Sequence, residues 1–430
     1  MSEPLLIAVF LGVLFFMLGS GVWVGMSLLA CAVVGMEVFT NRPVGDSMAI
    51  TIWGSTSSWT LTSLPLFIWM GEILFRTRLS KILFEGLTPW MKRLPGGLLH
   101  VNIAGSAIFA AISGSSAATA ATVGKMSIPE LRKREYPESM IIGTLAGAGT
   151  LGLLIPPSIS LIVYGVTVNE SIAKLFVAGI VPGLMLAGLF MGYVAIWSMT
   201  SRGHIRETSP INWGERLQGL IKLLPVMMLI AAVIGSIYTG VATATEAAVL
   251  GVVGALILSA AQRNLSWESF NASLFGAVKT SSMIALILMG SSFLSLAMGF
   301  TGLPRSLAEM IGGLELSPVM LIIGLTVFYI ILGCFLDGLS SIVLTMAVIE
   351  PLVRQAGFDM IWFGVYLMIV IEMAQITPPI GFNLFVLQGM TGRSMGFIAR
   401  ASVPMFLLMI VAVLVLVAFP DLATWLPNSM

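Results

Sequence analysis

The sequence has few charged side chains, two cysteines and two histidines among its 430 residues. Charged residues make up only 10%, against roughly a quarter in soluble domains, which excludes an ordinary soluble protein. Cys31 and Cys334 lie in apolar segments without Cys-x-x-Cys or Cys/His spacing, so we expect buried packing and no disulfide or zinc site. A Gly-x-x-x-x-Gly-Lys-Ser/Thr pattern is missing, which argues against direct use of ATP. The net charge of +1 argues against a nucleic-acid partner.

Hydrophobic residues, in contrast, make up 57% of the chain. A membrane-spanning helix needs about 20 apolar residues, and the apolar stretches predict roughly ten such segments. The first residues, "MSEPLLIAVF", lack the basic region and cleavage site of a secretory signal, so we expect this segment to remain as a membrane helix. These features predict an all-α polytopic membrane protein without a separate soluble domain.

Lysine and arginine residues cluster in alternate loops, which indicates the side of the membrane on which each loop lies. We place 17 of the 21 basic residues on the cytoplasmic side, leaving Arg42, Lys174, Arg305 and Arg354 outside. The cytoplasmic clusters are Arg76, Arg78, Lys81, Lys92 and Arg93; Lys125, Arg132, Lys133 and Arg134; Arg202, Arg206, Arg216 and Lys222; Arg263 and Lys279; and Arg393 and Arg400.

Two apolar stretches are predicted to enter the membrane and return to the side from which they came. The first, residues 96–127, lies between two cytoplasmic clusters and has its tip near Ser115 and Ser116. The second, residues 316–353, enters from the opposite side, and its tip is "LDGLSS". We therefore expect two re-entrant hairpins with tips rich in glycine and serine.

Two further spans are interrupted by double prolines, at "LGLLIPPS" in residues 138–168 and at "QITPPIGFN" in residues 360–390. Proline has no amide proton and fixes φ, so each pair leaves helix carbonyls unsatisfied. In lipid such groups must face protein, water or an ion. The sequence therefore predicts two broken spans.

Matching features in the two halves of the chain predict an internal repeat. Ser116 pairs with Ser341 at an offset of 225 residues, Pro156 with Pro378 at 222, and a Gly-Val pair from Gly21 recurs at 219. Amphipathic helical stripes precede both hairpins: Leu79, Ile82, Leu83, Leu87, Trp90 and Met91, and Leu303, Leu307, Met310, Ile311 and Leu314.

We assign residues 1–200 and 215–424 to two repeats. Each has three spans, an interfacial helix, a hairpin, a proline-broken span and a final span. The charge pattern gives the repeats opposite orientations. Inverted repeats with broken helices are typical of secondary transporters, whose sites lie at mid-membrane where the breaks meet.

The tips and breaks have the chemistry for a cation and a carboxylate. Hydroxyls and freed carbonyls are hard oxygen ligands suited to an alkali cation, and the second arm of each hairpin begins with amides that attract an anion. We expect each break to close a sodium site against a tip, with the substrate between the two sites. Ser158 and Thr377 are the best side-chain candidates in the breaks, and Asp337 binds a cation or stabilises its loop.

Other interpretations compete with this one. Small residues also pack helices against each other in membranes, although matched tips in both halves argue against packing alone. Glu246 and Glu372 lie within or near apolar spans, where a carboxylate is by default a functional candidate, but Glu246 is as well explained by helix capping. A Gly-x-Ser-x protease site would need a base near the tip, and this requirement disfavours a protease. Polar residues confined to two loci disfavour a channel, which needs a continuous polar lining.

Five motifs in order, "GSSAATAATVG", "GTLAGAGTLGLLIPPS", "TGVATATEAA", "LDGLSS" and "ITPPIGFNLFV", resemble the large membrane subunit of tripartite ATP-independent periplasmic (TRAP) transporters. The resemblance implies an elevator-type fold, in which a transport domain of hairpins and broken spans slides against a scaffold. It also implies sodium cotransport of an organic acid, a periplasmic substrate-binding protein, and a separate small subunit with four spans. It places the chain in a bacterial inner membrane, with both termini periplasmic and lipid around it.

Carried onto this sequence, the resemblance implies two groups of site residues. The sodium sites would involve Ser115, Ser116, Gly149, Thr150, Pro156, Asp337, Gly338, Ser340, Ser341, Thr377 and Pro378. The substrate would meet Ser116, Thr119, Ser158, Ser341, Pro379 and Asn383. Na⁺ is the coupling ion, and neither an organic cofactor nor enzymatic activity is expected.

We therefore predict sodium-coupled uptake of a small organic anion such as a C4-dicarboxylate, a sugar acid or a keto acid. A stand-alone anion/sodium symporter is the closest alternative, because the motifs themselves do not require a binding protein. A membrane receptor or scaffold without transport is the alternative of a different class.

Overall fold

The computed structural model describes residues 3–77, 79–200, 213–302, 317–334, 336–379 and 381–430, and all regular elements in these ranges are helices. The first half contains α1 Glu3–Gly19, α2 Val24–Phe39, α3 Val44–Thr56, α4 Ser63–Phe75, α5 Leu79–Met91, α6 Leu99–Ser113, α7 Ser116–Lys133, α8 Glu138–Gly149, α9 Leu151–Leu154, α10 Ile159–Thr167 and α11 Ile172–Thr200. The second contains α12 Trp213–Tyr238, α13 Ala244–Ala261, α14 Trp267–Thr301, α15 Pro318–Gly333, α16 Gly338–Gln355, α17 Met360–Gln375, α18 Phe382–Thr391, α19 Met395–Ala418 and α20 Asp421–Thr424. Short 3₁₀ turns occupy Trp59–Thr62 and Pro427–Ser429.

Fewer helices than predicted have the length of a full membrane span. Five of the described helices, α11 to α14 and α19, are long and apolar enough to cross a membrane, and the bent pair Glu138–Leu154 and Ile159–Thr167 makes a sixth. Six other apolar helices in the described ranges are shorter. The described helices of full span length are thus fewer than the roughly ten predicted segments, because several apolar stretches are divided into half-length helices by glycine, serine and proline.

Both predicted hairpins are present as pairs of helices in contact with each other. The first consists of α6 and α7, and the second of α15 and α16. Helix α6 ends because Gly114 adopts the left-handed conformation, with φ of 57°. Helix α7 begins because the Ser115 hydroxyl accepts a hydrogen bond from the Ala118 amide. The second arms continue to Lys133 and Gln355, beyond the predicted ends of the hairpins.

The broken spans are interrupted where the double prolines predict. Helix α9 ends at Leu154 and α10 starts at Ile159, with a bend of 41° between the two halves. In the second repeat α17 ends at Gln375 and α18 starts at Phe382; Ile380 lies outside the described residues. The first halves, α8 and α17, are almost wholly buried, so the broken spans form the centre of the fold.

Helix boundaries in the two halves of the chain match at a constant offset. Helices α7 and α16 are both 18 residues long and start 222 positions apart, as do α8 and α17. Pro156-Pro157 and Pro378-Pro379, both cis, have the same separation. The pairing of Ser116 with Ser341 is therefore wrong by three positions. At an offset of 222 residues, Ser116 corresponds to Gly338.

The outer helices of the fold keep apolar side chains exposed. Phe16 on α1, Trp53 on α3, Met228 on α12 and Phe275 on α14 are each more than half exposed. Polar residues would cover such a surface in water, whereas lipid or another membrane helix accepts it. The sides of the fold are therefore suited to an apolar environment.

The amphipathic stripe before the first hairpin forms α5, which buries Leu79, Leu83 and Leu87. Its exposed side forms an ion pair with α12, in which the Lys222 ammonium lies 2.6 Å from the Glu85 carboxylate. This hydrogen bond lowers the pKa of the Glu85 carboxyl below its ordinary value. The corresponding stripe, Leu303, Leu307, Met310, Ile311 and Leu314, lies outside the described residues.

Candidate functional site

The tip of the first hairpin packs directly onto the first break. A Cβ added to Gly152 would lie 2.6 Å from the backbone of Ser115, and one added to Gly114 would lie 2.9 Å from the Pro157 carbonyl oxygen. Because both neighbours are backbone atoms, they have little room to yield. Glycine at these two positions therefore allows the tip and the break to approach closely.

Three side chains meet at this tip, and they come from three separate helices. Ser116, the first residue of α7, donates a hydrogen bond from Oγ to Oε2 of Glu372 over 2.9 Å. Asn383, in the first turn of α18, donates from Nδ2 to Ser116 Oγ over 2.5 Å. Glu372 lies in the last turn of α17. We refer to Ser116, Glu372 and Asn383 as the polar trio; it joins the first hairpin to the second broken span.

The polar trio is buried, and two of its oxygen atoms have no hydrogen-bond partner. Ser116, Glu372 and Asn383 are 6%, 1% and 0% exposed. Within the described part of the chain, Glu372 Oε1 and Asn383 Oδ1 lack partners. Burying such atoms without compensation costs about 1–3 kcal/mol each, and more for a charged group. Unsatisfied oxygens at this depth therefore mark a place where a ligand would be favoured.

The other predicted hydroxyls at the first tip and break mainly stabilise the local backbone. Thr119 donates to the Ser115 carbonyl oxygen over 2.7 Å and contacts the Ser113 hydroxyl. Ser158 donates to the Leu153 carbonyl oxygen over 2.5 Å and caps α10 by accepting from the Leu161 amide. These bonds hold the tip and the break in shape, and each oxygen retains acceptor capacity.

Two predicted ligands donate their protons away from the polar trio. Thr150 donates to the Gly147 carbonyl oxygen within its own helix and lies 3.9 Å from Met409 on α19. Thr377 donates to the Met373 carbonyl oxygen over 2.7 Å. Gly149 packs near Ala120 and the Ser116 carbonyl oxygen on α7.

The second tip is organised by a carboxylate. Asp337 Oδ2 accepts hydrogen bonds from the amides of Leu339 and Ser340, and Oδ1 accepts from the Ser340 hydroxyl. Of the two predicted roles for Asp337, stabilising its loop is the one seen here. Ser341 is fully buried, and its hydroxyl lacks a partner in the described ranges.

The second tip approaches both breaks. A Cβ on Gly338 would lie 2.9 Å from Ile371 and 3.2 Å from Leu153. The Cys334 thiol, at the end of α15, donates to the Pro378 carbonyl oxygen over 3.5 Å. Pro156 is buried in the first break, whereas Pro378 and Pro379 are exposed in the second. Each tip therefore contacts its own break, as predicted, but it also contacts the other repeat.

An arginine at the end of each hairpin also crosses between the repeats. Arg132, near the end of α7, donates to the Thr391 carbonyl oxygen at the end of α18 over 3.2 Å. Arg354, near the end of α16, donates to the Val168 carbonyl oxygen after α10 over 3.1 Å. Both arginines occupy helix C-termini, where unpaired carbonyls and the helix dipole favour a cation. We refer to these contacts as the arginine clamps.

The sequence pattern singled out Glu372 as a carboxylate in an apolar span but did not connect it to Ser116 or Asn383. The two arginine clamps were likewise not predicted, because their partners are backbone carbonyls 259 and 186 positions away. Glu246, the other singled-out carboxylate, forms a capping box with Thr243. This confirms the capping interpretation for Glu246.

Comparison with known proteins agrees with this architecture. A family model described as "Tripartite ATP-independent periplasmic transporter, DctM component" matches residues 11–422. The C4-dicarboxylate TRAP transporter large permease protein DctM of Pseudomonas aeruginosa is 30% identical over 383 residues, which are 89% of this chain and 89% of that protein. The name of this relative describes a permease and not an enzyme.

A second relative is longer than this chain. The isethionate TRAP transporter permease protein DctMQ of Oleidesulfovibrio alaskensis is 30% identical over 408 residues, which are 95% of this chain and 64% of that protein. The crystal structure of the YdaH transporter of Alcanivorax borkumensis aligns with a TM-score of 0.63 at 11% identity, covering 94% of this chain and 97% of that one. At this identity the alignment shows a shared fold alone.

Proposed function

We propose, from the premise that the chain belongs to the DctM-component family of TRAP transporters, that it carries out sodium-coupled uptake of a small organic anion. The family makes it a multi-pass membrane transport protein for organic acids. Sodium coupling, the elevator motion and the identity of the substrate are the parts that we add.

The observation that carries the proposal is the meeting of hairpin tips and broken helices in the interior of the fold. The first tip presents Ser115 and Ser116 to a break at which two prolines lack amide donors. The second presents Asp337 and Ser341 near the break at Thr377 and Pro378. Hydroxyl, carboxylate and carbonyl oxygens are hard ligands, so these residues fit Na⁺ as a cotransported ion.

We place the substrate between the tips, near Ser116 and Asn383 of the polar trio. Helices α7 and α16 both begin at a tip, so their amides are suited to an anionic group of the substrate. The P. aeruginosa and O. alaskensis relatives are named for a C4-dicarboxylate and for isethionate, which are both small organic anions. A small organic anion is therefore consistent with the two helix N-termini, which attract negative charge, and with the substrates for which these relatives are named.

For the motion, we propose that the hairpins and broken spans move together against α1 to α5, α11 to α14 and α19. The polar trio and the two arginine clamps tie the hairpins to the broken spans of the other repeat. Such ties favour movement as one body. An inverted orientation of the two repeats in a bacterial inner membrane, with periplasmic termini, would present the substrate region alternately to the two sides.

We further propose that a periplasmic binding protein delivers the substrate and that a small four-span subunit extends the scaffold. The O. alaskensis relative, named DctMQ, is longer than this chain. The extra length is consistent with a second membrane component in the complete transporter. We favour the tripartite arrangement over a stand-alone symporter for this reason.

The test is uptake of labelled C4-dicarboxylate, isethionate and sugar-acid candidates into proteoliposomes. The chain is reconstituted with and without binding protein and small subunit, each with and without an inward sodium gradient. We expect uptake only when all three proteins and the gradient are present. Uptake without sodium would overturn the coupling, and uptake by this chain alone would overturn the tripartite arrangement.

Variants at the two predicted sodium loci sharpen this test. We expect Ser116→Ala and Thr377→Ala to raise the sodium concentration for half-maximal uptake, at near-normal amounts of protein in the membrane. Ser106→Ala, which removes a buried hydroxyl from α6 away from the tip, is the matched control. Parallel loss of expression and sodium dependence would instead assign Ser116 and Thr377 to packing.

A further inference from the structure

We propose that the polar trio of Ser116, Glu372 and Asn383 forms a binding site for a monovalent alkali cation, located where the first hairpin meets the second broken span. This proposal rests on the proposed sodium-coupled transport and adds a cation position that pairs the tip of one repeat with the break of the other. Glu372 is the charged ligand of this site.

The charge of Glu372 needs a partner in the interior of the fold. An isolated ionised carboxylate is very costly to bury, and such groups are normally paired with a cation or neutralised. Glu372 is 1% exposed, and within the described ranges it has no lysine, arginine or histidine as an ion-pair partner. The carboxylate interacts with the Ser116 hydroxyl, which donates to Oε2, and with the Leu153 backbone amide, while Oε1 has no geometrically defined hydrogen-bond partner in the described ranges. The polypeptide thus supplies a negative charge without its counter-charge.

The oxygen atoms of the polar trio are suited to an alkali cation. The trio offers a carboxylate, a hydroxyl and an amide oxygen, which are the hard donors that alkali and alkaline-earth ions prefer. Glu372 Oε1 and Asn383 Oδ1 are both buried without partners, although Ser116 already connects the two side chains. One carboxylate balances one positive charge. A divalent ion would leave an excess charge in the interior, so the trio is suited to a monovalent ion.

The two halves of the chain differ at the positions of the polar trio. At the offset of 222 residues, Ser116, Glu372 and Asn383 correspond to Gly338, Thr150 and Leu161. Two of these counterparts have no polar side chain, and the Thr150 hydroxyl donates to the Gly147 carbonyl oxygen in its own helix. The fold therefore does not require polar groups at these positions. Their presence at only one of the two related places points to a ligand.

The arrangement also indicates what binding would do. The three ligands belong to α7, α17 and α18, so one ion would hold the hairpin tip against both halves of the second broken span. Without the ion, the unpaired Glu372 charge would favour separation of the tip from α17, because separation admits water. We infer that the ion stabilises the packed arrangement of the first tip.

The test is the sodium dependence of thermal stability for the purified full chain in lipid nanodiscs. NaCl is titrated against choline chloride at constant ionic strength and constant pH. The quantity measured is the sodium midpoint, which is the sodium concentration that produces half of the rise in Tm. For Glu372→Gln, which keeps the shape and removes the charge, we expect that midpoint to increase at least about tenfold. Glu372→Asp keeps the charge and should fall between Glu372→Gln and wild type. Ser106→Ala should match wild type.

Several results would overturn the proposal. An unchanged sodium midpoint in Glu372→Gln and Asn383→Leu would remove the trio from cation binding, even if uptake remains sodium-coupled. If Glu372→Gln leaves the sodium response intact but abolishes binding of a zwitterionic probe such as ectoine, the counter-charge comes from the substrate. If lowering the pH stabilises wild type as sodium does and Glu372→Gln removes both responses, a proton fills this role. A wild type without any sodium response would instead refute the proposed sodium coupling itself.

Discussion

The two hairpin tips have the same backbone design but different surroundings and side chains. The first has Ser115 as helix cap, is followed by the buried Ser116, and faces the buried Pro156 break. The second has the exposed Asp337 as cap and lies near the exposed Pro378 break. A repeated fold therefore supplies two similar frameworks, while local side chains make them chemically different. We expect the first to be the more sensitive to small changes in volume and polarity.

The two halves share an arginine contact at the end of each hairpin that lies away from its tip. Arg132 and Arg354 occupy corresponding positions, and each donates to a carbonyl at the end of a half-helix of the opposite repeat. Each also has a carboxylate neighbour, Glu138 for Arg132 and Glu170 for Arg354. The clamps are thus common to both repeats, whereas the polar trio occurs in one. The contacts that the two halves share thus lie at the far ends of the hairpins, and those that differ lie at the tips.

The largest effect is expected from Gly152→Ala, which gives the first break the residue found at the corresponding position of the second, Ala374. The new methyl group would meet the Ser115 backbone at 2.6 Å, and such overpacking costs about 1–3 kcal/mol. We expect uptake to fall at least about tenfold. Gly188→Ala, where a Cβ meets none of the described atoms within 4 Å, should keep near-normal uptake. Equal activity of both variants would contradict the close packing.

A second change makes the first tip resemble the second. Ser116→Gly, matching Gly338, removes the hydroxyl between Glu372 and Asn383. Loss of two buried hydrogen bonds costs about 1–3 kcal/mol, and we expect a severalfold higher sodium midpoint for uptake. The measurement is uptake against sodium concentration in proteoliposomes. A sodium dependence equal to that of Ser106→Ala would show that the tips do not differ in function.

The arginine clamps test the shared part of the comparison. We expect Arg132→Gln and Arg354→Gln to destabilise the protein by similar amounts, about 1 kcal/mol each, because the side chains are 39% and 46% exposed and partly screened. Thermal unfolding in nanodiscs measures the effect, with the exposed Arg400→Gln as control. A large loss in only one of the two variants would show that the clamps are not equivalent.

The smallest effect concerns Glu85 and Lys222, which join α5 to α12. Because the Glu85 pKa is lowered in the folded protein, the stabilisation is present above the ordinary value of 4.5. It is lost as the pH falls through the folded pKa. Glu85→Gln should therefore be less stable than wild type at neutral pH, by at most about 1 kcal/mol, and equal to it in strong acid. Glu37→Gln, an exposed control, should match wild type throughout, and a pH-independent difference for Glu85→Gln would rule out the ion pair.

Much of the helix pattern followed from local sequence. Gly114, Ser115 and the double prolines mark where helices end and begin, since their effects on φ and on amide hydrogen bonding act within a few residues. The hairpin ends and the register of the repeat were less well predicted. Matching Ser116 to Ser341 compared similar residue types, whereas backbone geometry pairs Ser116 with Gly338.

Hydrophobicity, proline and glycine act locally and recur in order, so they were enough to predict the membrane class, the two broken spans, the two tips and the family. Which polar groups meet depends on tertiary packing. Ser116 and Glu372 are 256 positions apart, and either one, considered alone, is compatible with packing or with a site. Their contact depends on how the first hairpin docks against the second repeat. That docking is governed by the shape of the whole interface, including Gly152 and Gly338, which local patterns do not encode.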